Sequence, residues 1–186
     1  MNFLLVIGVI IWMRVQKIPL AHVGLGTFQP SRSLLVLVIA TMGIDYLAIG
    51  IATPALASFF GEAQQVARFQ EIPGNLPLLL LVLPLSWVIG AFGEEFFFRG
   101  FMLTAVASIL GASRAAWLAA IVIQALGFGL IHVEQGPVQA ISIGIGGMVY
   151  GAAYLYARKN LWPTILAHGI NNTLGFILLY SGVIQR

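Results

Sequence analysis

From Leu76 to Leu110 the only formally charged residues are Glu94, Glu95 and Arg99, and the segment around them is overwhelmingly apolar. An apolar run of this length does not stay in water. As an upright helix at about 1.5 Å per residue it would measure roughly 50 Å, against a hydrocarbon core of about 30 Å. A tilt, or a break near Pro84 or between Gly90 and Gly93, is therefore expected. The rest of the chain agrees: 60% of its 186 residues are hydrophobic and 8% charged, where soluble domains carry about 25% charged. So few charges cannot clothe a soluble surface, which excludes soluble enzymes and nucleic-acid-binding modules. The net charge of +3 comes from scattered bases rather than a basic patch. With no cysteine, disulfides, thiolate metal sites and thiol catalysis are also excluded.

The apolar segments divide the chain into about six transmembrane helices, an all-α polytopic bundle with an intramembrane polar cavity. The expected spans are Asn2 to Met13 (short or tilted, with no signal-peptide pattern), Ser33 to Phe60 with a kink at Pro54, Leu76 to Leu110, Ala115 to His132, Val138 to Ala157, and Leu161 to Val183. Residues 1–186 read as a single integral membrane domain, with residues 76–183 as its chemical core. The connections carry Arg14, Lys17 and Arg32; Glu62, Arg68 and Glu71; Arg114; Glu134; and Arg158 with Lys159. Basic loops alternate with acidic or near-neutral ones. The positive-inside rule places the first, third and fifth in the cytoplasm and both termini outside.

An ionisable group at the bilayer centre costs about 2.5–3.5 kcal/mol on insertion scales, so each one needs a reason. Glu95 and Arg99 are four apart and can pair on one helix face. Glu94, turned by about 100°, is not the natural partner of Arg99 and can face a cavity. An ion pair that only fixes topology explains Glu95 and Arg99, but not Glu94. His132 closes the fourth span, with Phe128 one turn below it; an interfacial histidine is the plain alternative. In the sixth span, His168 and Asn172 share a face and can both donate to one oxygen, or act as interhelical glue. Asn171 points elsewhere and reads as a helix–helix hydrogen-bonding residue. Asp45 either pairs with a base or shapes a cavity. His22 and Glu134 read as solvated. Gly147 and Gly151 read as a helix-packing step, and the four tryptophans as interfacial or lipid-facing. Two acids, two histidines and an amide suffice to activate water and to stabilise the oxyanion of a cleaved carbonyl.

Glu94-Glu95-Phe96-Phe97-Phe98-Arg99 matches EExxxR, Phe128-Gly-Leu-Ile-His132 matches FxxxH, and His168-Gly-Ile-Asn171-Asn172 matches HxxxN. Three such motifs, in this order on separate apolar helices, resemble the CAAX-processing and bacteriocin-processing (CPBP, or Abi) intramembrane proteases, which include the type II CAAX prenyl endopeptidases. The resemblance covers Glu94 to Asn172. It implies an intramembrane endopeptidase acting on a membrane-associated, leader or CAAX-type peptide. Glu94 would be the base, working with His132 on water. His168 and Asn172 would hold the oxyanion, and Glu95, Arg99 and Phe128 would support the site. No cofactor is expected, although Glu94, His132 and His168 would also supply three zinc ligands with an open fourth position.

The expected partners are a peptide or protein substrate at the membrane and the bilayer itself, with no nucleic acid. The expected location is a cell membrane in a prokaryote, or the endoplasmic reticulum in a eukaryote. Two other classes fit the same residues. One is a non-catalytic scaffold or immunity protein of this fold. The other is an ion-coupled transporter, since buried acids and histidines also form relays.

Overall fold

The computed structural model describes residues 2–60 and 69–183. The Glu62 and Arg68 positions of the second connection lie outside the described residues. Among the described residues the protein is all-helical, with six principal helices: α1 (Asn2–Val15), α2 (Arg32–Phe60), α3 (Leu76–Ile109), α4 (Arg114–Leu130), α5 (Pro137–Tyr156) and α6 (Trp162–Tyr180). Three of them, α2, α3 and α5, are long and apolar enough to cross a membrane; α4 is apolar but shorter. This is the composition and architecture of a membrane protein.

Local chemistry sets the helix ends. Asn75 caps α3, its side chain accepting from the Leu78 amide at 3.1 Å, and Ser113 caps α4 through the Ala116 amide at 3.1 Å. Prolines stand in the first turns of α3, α5 and α6, where the missing N–H is no loss. Pro54 lies inside α2, which is helical on both sides of it. The fourth helix ends two residues earlier than expected, at Leu130, so His132 stands just beyond it.

Helix α3 does not break. It is α-helical over Leu76–Leu85 and π-helical over Ser86–Leu103, and it returns to α over Thr104–Ile109. The change of winding begins two residues after Pro84. Proline supplies no N–H and crowds the carbonyl four residues back, which favours a wider turn there. Bonding over five residues instead of four puts more residues in each turn. Each residue then advances by less than 100°, so Glu94 and Glu95 lie closer to one face than in an α-helix.

The tightest helix pair is α4 against α5. A Cβ on Gly129 would stand 2.6 Å from the Ala140 carbonyl oxygen, and one on Gly151 would stand 2.8 Å from the Gln124 side-chain amide. Gly147 opposes Ala125 in the same seam. The backbones approach because these side chains are absent, as expected for Gly147 and Gly151. Gln124, fully buried, donates across the seam to the Gly147 carbonyl at 2.8 Å.

Helix α1 packs alongside one half of α3. Val6 faces Gly93, and the Trp12 ring meets Phe101 edge-on at 5.8 Å. At that end of the bundle the connections are tied together. The Leu161 amide donates to Gly24 O at 3.0 Å, Trp162 Nε1 donates to Gly26 O at 2.9 Å, and Lys159 Nζ lies 3.8 Å above the Trp117 ring. At the opposite end the Gly74 amide donates to the Tyr180 carbonyl at 3.0 Å, and the Phe69 and Phe176 rings meet at 5.4 Å.

Candidate active site

Between α2, α3, α5 and α6 lies a cavity of about 470 Å³, completed by the end of α4. All three motif segments reach it. Glu94, Glu95 and Arg99 line it from α3, Phe128 and His132 from α4 and the turn after it, and His168 and Asn172 from α6. Glu94 and His132, from different elements, thus border the same space.

Glu95 and Arg99 form the floor. Arg99 Nη1 lies 3.0 Å from Glu95 Oε1, and both side chains are essentially inaccessible. The guanidinium is also covered by rings, 4.3 Å from the Phe128 centroid and 5.3 Å from that of Tyr150. A desolvated cation needs such neighbours. Phe128 therefore has a physical reason to stand where it does. It spreads its face over Arg99 and touches the His132 ring edge-on at 5.0 Å.

Glu95 has a second partner. His168 Nδ1 donates to the same Oε1 at 2.9 Å, and His168 Nε2 lies 3.9 Å from Glu94 Oε2. One carboxylate thus fixes the imidazole while its other nitrogen faces the second carboxylate and the cavity. Glu94, unlike Glu95, keeps a partly accessible side chain, at 12%.

His132 is oriented by backbone. Its Nδ1 lies 2.8 Å from the Phe128 carbonyl oxygen. A carbonyl can only accept, so Nδ1 carries the hydrogen. In the neutral ring Nε2 then holds the lone pair.

Asn172 sits beside α3 where Gly90 leaves room. A Cβ at that position would stand 3.0 Å from Asn172 Nδ2, and Gly90 is one turn from Glu94. Asn171 also borders the cavity but bonds between helices: its Nδ2 donates to the Tyr150 hydroxyl at 2.9 Å and to Asp45 Oδ2 at 3.3 Å. Asp45 is therefore part of the cavity wall, wedged against Gly146 and bonded to α6, while Tyr46 faces outward, 53% exposed. His22 and Glu134 are exposed at the surface, as expected.

Trp87 corrects the expectation of lipid-facing tryptophans. Its Nε1 donates to Thr173 Oγ1 at 3.0 Å, and its indole lies where a side chain on Gly169 would go. It therefore locks α6 to α3 next to His168. Gly169→Ala is expected to push α6 away and to lower activity about 10²-fold, since displacements near 1 Å cost that much. Gly43→Ala on α2, where a Cβ meets nothing within 4 Å, should leave the rate unchanged. Activity per mole of folded protein separates the two.

Among the described residues no three His, Asp or Glu side chains are grouped as a metal site requires. Glu94, His132 and His168 share the cavity without forming such a cluster.

A family model described as type II CAAX prenyl endopeptidase Rce1-like matches residues 76–174. No curated protein and no solved structure matches the chain.

Proposed function

Because the chain belongs to the type II CAAX prenyl endopeptidase Rce1-like family, a family of proteases, we propose that it is a multi-pass intramembrane endopeptidase that hydrolyses a peptide bond of a membrane-associated substrate with water activated by Glu94 and His132. The observation that carries this reading is the convergence of Glu94, His132, His168 and Asn172, from three elements, on one cavity.

Each group has a role that its surroundings support. Glu94, on the accessible side of the site, takes a proton from water. His132, with Nδ1–H held by Phe128 O, accepts the water's other hydrogen at Nε2 and aims the oxygen. The hydroxide adds to the scissile carbonyl carbon, and the negative charge passes to the carbonyl oxygen. His168, when doubly protonated, donates to that oxygen from Nε2, and Asn172 donates from Nδ2. As the C–N bond breaks, the proton on Glu94 goes to the leaving nitrogen, and a carboxylic acid and an amine are released, which exchange the remaining proton to leave as carboxylate and ammonium. Glu95 touches neither substrate nor water here; it positions His168, and Arg99 neutralises Glu95.

In this mechanism side chains alone activate the water. The purified protein in liposomes, given a pool of membrane-associated peptides, should generate new amino termini. EDTA or phenanthroline should change the rate by less than about twofold, since a bound catalytic metal would be stripped. Loss of cleavage on chelation, restored by zinc, would replace this mechanism with a metal-dependent one.

A further inference from the structure

We infer that the cavity opens on the non-cytoplasmic face of the membrane, so that the substrate is a peptide segment displayed outside the cytoplasm (or in the lumen) by an exported or membrane-anchored protein. This rests on the endopeptidase reading for the word substrate; the orientation itself does not.

Two independent observations meet here. The first is where the cavity leads. From its floor at Glu95 and Arg99 the lining climbs past His132 to Phe69 in the α2–α3 connection, Gln135 in the α4–α5 turn and Leu179 in the last turn of α6. These belong to one end of the bundle, where the Gly74 amide meets the Tyr180 carbonyl.

The second is where the bases lie. The other end gathers the α1–α2, α3–α4 and α5–α6 connections. They carry Arg14, Lys17, Arg32, Arg114, Arg158 and Lys159, all exposed, and no acid. Contacts of Lys159 with Trp117, and of Leu161 and Trp162 with Gly24 and Gly26, hold these connections together. The sequence joining the helices at the cavity end, with the residues after α6, carries only Arg68 and Arg186 as bases, along with Glu62, Glu71 and Glu134.

Lys and Arg in short loops set orientation, and acids contribute little. Six bases against two place the closed end in the cytoplasm and the mouth on the far side. A prenylated or otherwise modified carboxy terminus presented from the cytoplasm would meet the closed end. A juxtamembrane or leader segment on the far side meets Gln135, Gln139 and Phe176 at the mouth.

The test uses the absence of cysteine in the chain. Single cysteines replace exposed neutral residues: Val133→Cys and Val183→Cys at the mouth end, Ala112→Cys and Asn160→Cys at the basic end. Each full-length variant is treated in intact cells with a membrane-impermeant maleimide, before and after permeabilisation. The inference expects Val133→Cys and Val183→Cys to label in intact cells, and Ala112→Cys and Asn160→Cys to label only after permeabilisation. The reverse pattern, or equal labelling of both ends in intact cells, overturns it. Labelling does not depend on hydrolysis, so these outcomes leave the catalytic assignment of Glu94 standing. Conversely, an inactive protein with the expected labelling would refute the protease reading alone.

Discussion

Glu94→Gln is expected to lower hydrolysis by about 10²–10⁴-fold, the range lost when a positioned general base is removed, while the protein accumulates normally. Gln has nearly the shape of Glu, so the winding of α3 and the cavity wall are retained; what disappears is the atom that accepts the water proton. The stability should not fall, because Glu94 keeps a partly accessible side chain, unlike the sealed Glu95. A scaffold or immunity protein of the same fold would give the opposite result, with Glu94→Gln supporting its phenotype in full. An ion-coupled transporter would lose ion flux in proteoliposomes, with no peptide cut by the wild type.

Arg99→Met is expected to act on the fold first. Glu95 is inaccessible, and its compensation comes from Arg99 at 3.0 Å and His168 at 2.9 Å. Deleting the guanidinium leaves a buried carboxylate short of its main counter-charge, a change that costs about 3–5 kcal/mol. Reduced accumulation and a large drop in thermal midpoint in detergent should follow. The double variant Glu95→Leu with Arg99→Met removes both charges, and much of the stability should return. Its activity should stay about 10²-fold or more below wild type, because His168 Nδ1 has lost the acceptor that fixed the ring. A single variant as stable as wild type would show that the pair contributes nothing to the fold. A fully active double variant would show that Glu95 does not position His168.

Much of this is legible in the sequence. Apolar runs, interrupted by glycine, proline and charge, locate six helices to within a few residues, because a bilayer demands uninterrupted apolar length. The four-residue spacing of Glu95 and Arg99 foretells their contact, and that of Phe128 and His132 their ring packing. What stays hidden depends on the third dimension. The π-winding of α3 has no strong sequence signature beyond Pro84, yet it lies where a tilt or a break is expected and turns Glu94 and Glu95 toward one cavity. That Glu95 serves Arg99 and His168 through a single oxygen requires α6 to be placed against α3. Trp87 and Tyr150 escape sequence reasoning for the same cause. Their partners, Thr173 and Asn171, are distant in sequence, and a tryptophan in an apolar run looks the same whether it faces lipid or a helix. Gln124 is a visible signal: an uncharged polar side chain amid the apolar residues of α4, it donates across the seam to α5.

The most direct measurement of the central claim is a map of membrane-protein termini in cells that make the wild-type protein or the Glu94→Ala variant at equal levels. The account predicts new termini at defined bonds with the wild type, absent with Glu94→Ala. The same termini at the same abundance with Glu94→Ala would contradict it.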